Sequence, residues 1–324
     1  MTKKTGLKIF KIFLSISLIS IIVYSIDWDY AKGALSKANY YLIMLSVIIT
    51  LLIQILMVYK WSILITTKDS NISVWKLFNI NMIAAFLGLF IPSSLSTDLL
   101  RGFYLARVNL NKTSSITSIL IDRFIGIISL LLFGLVGVLL SKNLFGNLNL
   151  IPYLVIIAIL FVFPIILLFN NLFTEYFKKI INKLTYKNIN VKIIKTYDSL
   201  IAFKKHPLKL FFSFLISSLV QFLRIARVYI IALAFNVNVD FYYFFIVVPI
   251  VIIVIMVPIS IGGLGVREGA LVALLKLVGV EVNDAILISI TSTLTATFVT
   301  LFGGISYIFY KNEVKTELSK ERIS

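Results

Sequence analysis

The chain has 324 residues, 60% hydrophobic and only 14% charged, with a mean hydropathy of +1.01. A soluble domain carries nearer a quarter charged residues, and the apolar runs here are continuous rather than alternating, so a soluble fold and a β-barrel are both excluded in favour of an all-α polytopic membrane protein. The net charge of +17 lies mostly in loops between apolar runs, which argues against nucleic acid as a partner, and no cysteine with one histidine leaves no thiolate or zinc cluster, so no metal or cofactor is expected.

The first predicted span covers about Leu7 to Ile26, behind Lys3 and Lys4. Its long apolar core, with no small-residue cleavage site after it, marks an uncleaved span rather than a signal peptide. Asp27 to Asn39 reads as a short loop holding the interfacial Trp28. The second span runs from about Tyr40 to Ile65. Within it Gln54 reads as interhelical glue, Lys60 as a snorkelling cation and Trp61 as an interfacial anchor.

The next apolar run, Asn79 to Ile91, is too short to cross a bilayer and is stopped by Pro92. Ser93, Ser94, Ser96, Thr97 and Asp98 follow, all residue types that cap helices. This pattern predicts a helix in, a break at membrane depth, and a helix back out through Leu99 to Val108. A full span from about Ile116 to Leu140 follows, with Asp122 and Arg123 in its first turns, and then another from about Tyr153 to Phe169. Residues 170–207 form a strongly basic cytoplasmic segment with apolar residues at helical spacing, which fits a surface helix, while a solvated positive-inside loop explains its lysines equally well. It ends at His206, which reads as a solvated interfacial residue beside Lys204 and Lys205.

A span from Leu208 to Phe235 carries Arg224 and Arg227 one turn apart, on one face. The apolar run Phe241 to Val257 then ends at Pro258. The stretch PISIGGLGVREGALVALL follows, with Ser260, Gly262, Gly263 and Gly265 ahead of Arg267 and Glu268. It pairs with PSSLSTDLLRG, Pro92 to Gly102. In both, a serine stands two residues after the proline (Ser94, Ser260) and an arginine nine after it (Arg101, Arg267). The last span covers Asn283 to Tyr310, and residues 311–324 read as a polar cytoplasmic tail.

Six full crossings with two re-entrant hairpins put both termini in the cytoplasm. Only Lys32, Lys37, Lys142 and Lys276 then fall outside, the asymmetry expected of the cytoplasmic membrane. The single transmembrane domain divides into halves of about 1–148 and 149–311. Each reads span, span, broken hairpin, span, and three crossings per half invert one half against the other. Inverted repeats with interrupted helices are a recurring transporter plan, with the ligand site at the breaks.

The buried charges support an anionic ligand. Arg101, Arg123, Arg224, Arg227 and Arg267 are set against Asp98, Asp122 and Glu268, so two arginines remain if every acid pairs. Buried arginine suits phosphate, and the helices after the two breaks offer N-terminal backbone N–H groups as an anion seat; structural pairing of the arginines with acids on other helices is the alternative.

PSSLSTDLLRGFYL and PISIGGLGVREGALVALL resemble the two signature segments of the lysylphosphatidylglycerol synthase transmembrane, flippase-like family. The resemblance covers nearly the whole chain and places signature positions at Pro92, Ser94, Asp98, Arg101, Asp122, Arg123, Pro258, Gly262, Gly263, Gly265, Arg267 and Glu268. Thr97 stands where a glycine is expected. The resemblance implies the membrane half of an enzyme system whose membrane part flips aminoacylated lipid. With no aminoacyltransferase or nucleotide-sugar domain in this sequence, a stand-alone membrane domain is expected. The expected function is a lipid flippase, not an enzyme, moving a phosphate-bearing phospholipid or polyprenyl-phosphate headgroup. The alternatives are an integral-membrane enzyme of the same metabolism or an accessory subunit of a separate synthase or glycosyltransferase.

Overall fold

The computed structural model describes residues 13, 15–18, 20–21, 24–65, 72–91, 96–108, 112–141, 159, 175–176, 179, 181, 189–257, 260 and 262–321. Every regular element among them is helical. The expected span at Tyr153 to Phe169, apart from Ile159, and both break prolines, Pro92 and Pro258, lie outside the described residues. The first span is described only in part.

Helix α1, Trp28–Lys37, occupies the segment expected to be a loop. The Asp27 carboxylate accepts from the Asp29 and Tyr30 N–H groups, supplying the cap that starts it. Ala31 and the following Ala38 are buried in the core, which secures it. Asn39 caps α2, Tyr40–Leu64, in the same way. Helix α3, Val74–Gly88, starts at the Ser73 cap and stops short of the first break. Helix α4, Ser96–Arg107, packs back on α3, with the Ser96 hydroxyl donating to the Gly88 carbonyl at 3.3 Å. Helix α5 spans Lys112–Leu140 and α6 spans Ile189–Ala202.

Helix α7, Pro207–Ala234, begins on a proline, whose missing N–H costs nothing in a first turn. A short 3-10 turn, Phe241–Tyr243, leads into α8, Phe244–Met256. Past the second break come α9, Val266–Leu277, and α10, Val282–Glu321. The backbone of α10 runs on into residues that read as a separate tail.

Four helices are long and apolar enough to cross a membrane: Tyr40–Leu64, Thr113–Leu140, Pro207–Ala234 and Val282–Phe309. The apolar helices Val74–Gly88 and Phe241–Met256 are shorter than a bilayer is thick. The chain is therefore a multi-pass helical membrane protein.

The packing has a simple regularity. Exchange α2, α3, α4 and α5 for α7, α8, α9 and α10, and the main set of touching helix pairs is unchanged. The pairs α2–α3, α3–α4, α4–α5 and α2–α5 have their counterparts in α7–α8, α8–α9, α9–α10 and α7–α10. Between the sets, α2 packs on α7, while α3–α10 matches α8–α5 and α5–α7 matches α10–α2. Each set has its own apolar cluster. One holds Trp61, Leu77, Ile83 and Leu105; the other holds Ile231, Val247, Leu275 and Ile288.

Glycine permits the closest crossings between the sets. A Cβ on Gly303 of α10 would lie 2.0 Å from the Met82 carbonyl oxygen of α3. One on Gly137 of α5 would lie 2.6 Å from the Phe245 backbone of α8. They lie on the two helix pairs that the exchange relates.

Candidate functional site

A cavity of about 470 Å³ lies where the two sets meet, lined by α2 to α5 and α7 to α10. Both breaks reach it. Gly88, Leu89, Ser96 and Thr97 line it from the first, and Gly262 and Gly263 from the second. The breaks also touch: a Cβ on Gly262 would stand 3.3 Å from the Leu89 carbonyl oxygen. Gly262 and Gly263 have φ of 58° and 80°, conformations that glycine adopts without strain. Six basic side chains and two carboxylates line the cavity, giving the lining a formal charge of +4: Lys60, Arg101, Arg123, Arg224, Arg227 and Arg267 against Asp98 and Asp122.

The charges divide by set. On the α2–α5 side they pair. Lys60 Nζ lies 2.8 Å from Asp122 Oδ1, and Arg101 Nη1 lies 3.2 Å from Asp122 Oδ2 and 3.5 Å from Asp98. Arg123 closes the chain on the other oxygen of Asp98. Arg101 is 1% exposed, with its guanidinium 4.2 Å from the ring centroid of Trp61. Lys60 is 4% exposed. At that burial each cation needs its carboxylate, and truncating one partner would strand the other in low dielectric.

On the α7–α10 side no carboxylate meets an arginine among the described residues. Arg224 donates to Gln221 Oε1 at 3.4 Å and reaches Met57 Sδ at 3.5 Å. Arg227 donates to the Ser292 carbonyl at 2.9 Å and the Ser292 hydroxyl at 3.1 Å. Arg267 donates to the Gly262 carbonyl at 3.4 Å. These contacts are all with neutral groups; the three arginines repel one another, and the charge of Asp122 across the cavity attracts Arg224.

The difference traces to single positions. Lys60 and Arg227 are each the twenty-first residue of their helix, in α2 and α7. Their partners Asp122 and Ser292 are each the eleventh, in α5 and α10. Likewise Asp98 and Glu268 are third in α4 and α9, and they bond Arg123 and Thr293, both twelfth in α5 and α10. The same scaffold contact is thus an ion pair in one set and a neutral hydrogen bond or a cap in the other. Leu271 stands where Arg101 would be.

The sequence-predicted residues sort accordingly. Asp98, Arg101, Asp122, Arg123, Arg224, Arg227, Arg267, Gly262 and Gly263 come together at the cavity. Glu268 does not line it. Its carboxylate accepts from the Gly265 N–H and from Thr293, closing the first turn of its own helix. At α9 part of the expected anion seat is already engaged. Gly265 N–H is capped by Glu268, Arg267 N–H bonds the Gly263 carbonyl at 2.8 Å, and Gly269 N–H bonds the Gly265 carbonyl at 2.9 Å. Gly265 packs against Leu18, so its lack of a side chain serves the fold, and Ser260 is buried but off the cavity wall. Ser94 lies outside the described residues.

Two readings of α2 are overturned. Lys60 is no snorkelling cation but an ion-pair partner in the cavity, and Trp61 is wholly buried beneath Arg101, donating to the Ser118 hydroxyl at 3.2 Å. Their closeness to the end of the apolar run suggested an interface. Only the packing of α5 and α4 over that end shows otherwise. Gln54 does join helices, accepting from Asn81 at 2.9 Å, and both also line the cavity. The sequence reading passed over Gln221, which donates to the Gly126 carbonyl and accepts from Arg224.

Residues 8–304 match the model of the lysylphosphatidylglycerol synthase TM region. The chain belongs to that family. The match spans both sets of helices and the cavity between them, and it relates the chain to membrane lipid metabolism. No curated protein and no solved structure gives a significant match.

Proposed function

We propose that this chain is a lipid flippase of the cytoplasmic membrane, moving a phosphate-bearing headgroup by alternating access. The observation that carries the reading is the cavity itself: both breaks border it, and three of its arginines have no carboxylate partner among the described residues. Buried cations in a membrane protein mark a ligand path, and arginine is suited to phosphate by its planar fork of donors. The exchange of helix pairs between the two sets supports an inverted repeat with re-entrant hairpins at each break. Rocking one set against the other at the glycine crossings would open the cavity to each face in turn. Lipid moves with its headgroup in the cavity, and both termini stay in the cytoplasm.

The test is reconstitution in liposomes with lipids labelled on the headgroup. Transbilayer movement is expected with the native chain and is expected to fall at least about tenfold in Arg224→Ala and Arg267→Ala, the loss of one charge-assisted contact. Equal movement in native and variant proteins would remove the assignment.

A further inference from the structure

The charge distribution in the cavity limits which headgroups it can hold. An aminoacylated or ethanolamine headgroup brings an ammonium, and an ammonium needs a carboxylate with spare capacity. Neither cavity carboxylate has negative charge to spare. Asp122 is shared by Lys60 and Arg101, and Asp98 by Arg101 and Arg123, so two carboxylates already serve three cations. Glu268 is withdrawn into the cap of α9. An added cation would raise a lining that already stands at +4, in surroundings where like charges interact strongly.

On the opposite wall the demand runs the other way. Arg224, Arg227 and Arg267 make only neutral contacts. A phosphodiester brings one charge and two free oxygens. A phosphate monoester brings a charge of about −1.5 to −2 at pH 7 and three strong acceptor oxygens. Across the wall, Arg101 is buried with its Nε and Nη2 unbonded and its guanidinium over the Trp61 ring.

Resting on the flippase reading for the site's location, we propose that the cavity is selective for a phosphate monoester or similarly multivalent phosphate headgroup and rejects headgroups that carry an ammonium. The seat is the Arg224, Arg227 and Arg267 wall. It is open to a dianion because Ser292 occupies the place that Asp122 fills in the other set. Selectivity is thus set by one missing carboxylate.

The test uses the purified full chain and four probes: phosphatidic acid, phosphatidylglycerol, lysylphosphatidylglycerol and inorganic phosphate. Binding is read by native mass spectrometry and by the shift in thermal midpoint. At pH 8 phosphatidic acid is expected to bind about tenfold more tightly than phosphatidylglycerol, the gain of one charged contact, and lysylphosphatidylglycerol most weakly. The preference should shrink at pH 5, below the second phosphate ionisation near 6. Ser292→Asp supplies the missing counter-charge at a place where the matching position already holds a buried aspartate. It is expected to remove the phosphatidic acid preference while raising or keeping the thermal midpoint of the empty protein. Arg107→Gln, at an exposed helix end away from the cavity, should leave the order intact.

Lysylphosphatidylglycerol binding as tightly as phosphatidic acid would overturn the proposal. So would an unchanged preference in folded Ser292→Asp protein. Inorganic phosphate binding as tightly as phosphatidic acid would uphold the phosphate chemistry but sink lipid as the ligand. The expected binding order without transbilayer movement would uphold the selectivity and sink the flippase reading alone.

Discussion

Arg227 donates to the Ser292 hydroxyl at 3.1 Å, at the same helix positions where Lys60 meets Asp122 at 2.8 Å. One scaffold contact therefore carries a neutralised charge on one side of the cavity and an uncompensated one on the other. The first helps hold the protein together. The second leaves a positive wall facing the space where the two breaks meet.

Removing the neutralising carboxylate should cost stability. Asp122→Asn leaves Lys60 and Arg101 buried with one carboxylate, Asp98, between Arg101 and Arg123, and the expected loss is about 3–5 kcal/mol. Lys60→Met with Asp122→Asn should lose less than the single Asp122→Asn change, because one stranded cation is gone. Denaturation in detergent micelles measures both, and a double variant no more stable than the single one would contradict the pairing.

Glu268 is expected to act through helix α9 rather than on a ligand. Glu268→Gln keeps an acceptor for the Gly265 N–H but loses its charge at the helix N-terminus, and should cost about 1 kcal/mol. Headgroup affinity at low temperature should be nearly unchanged. A fall in affinity comparable with that of Arg267→Gln, with the thermal midpoint unmoved, would put Glu268 back in the site.

The glycines give a contrast in sign. Gly303→Ala drives a methyl to 2.0 Å from the Met82 carbonyl and must push α10 off α3, so a loss of about 1–3 kcal/mol is expected. Gly269→Ala, at the fourth residue of α9, meets no atom within 4 Å and should gain up to about 1 kcal/mol from helix propensity. Thermal midpoints of the two variants, measured side by side, check the packing of α10 on α3.

Outside the cavity, the Tyr30 hydroxyl donates to Asp284 at 2.8 Å and ties α1 to the start of α10. That bond, then burial and the nearby charge of Asp284, push the Tyr30 phenol up to about 12, above its ordinary value near 10. Because the raised group is held neutral in the fold, its contribution is complete below about pH 10 and is lost as the pH rises through about 12. Tyr30→Phe should flatten the pH dependence of the thermal midpoint over that window. An identical alkaline slope in the variant would show that this bond does not contribute.

Much of the fold was legible along the chain because hydropathy and helix breaking are local. The bilayer demands long apolar runs, and prolines and glycines interrupt them where the backbone must turn. Helix α1 escaped because it is only ten residues long and not apolar overall, so its amphipathic pattern does not stand out from a polar loop. Its cap at Asp27 becomes decisive only once Ala31 and Ala38 find a core to enter. Arg224, Arg227 and Arg267 were legible as site candidates because charge within an apolar run is costly wherever the run packs.

What the sequence by itself determined is a multi-pass helical protein with two interrupted apolar runs and more cations than acids within its apolar segments. What only the tertiary structure decided is which acid meets which cation. Lys60 and Asp122 are 62 residues apart in sequence, and Arg101 reaches Asp122 from a third helix. Glu268, beside Arg267 in the chain, turns instead to its own helix and to Thr293. Coulomb interaction depends on separation in space and on burial, and neither can be counted along the chain. That is why an excess of two arginines in the sequence becomes three unpaired arginines on one wall of the folded protein.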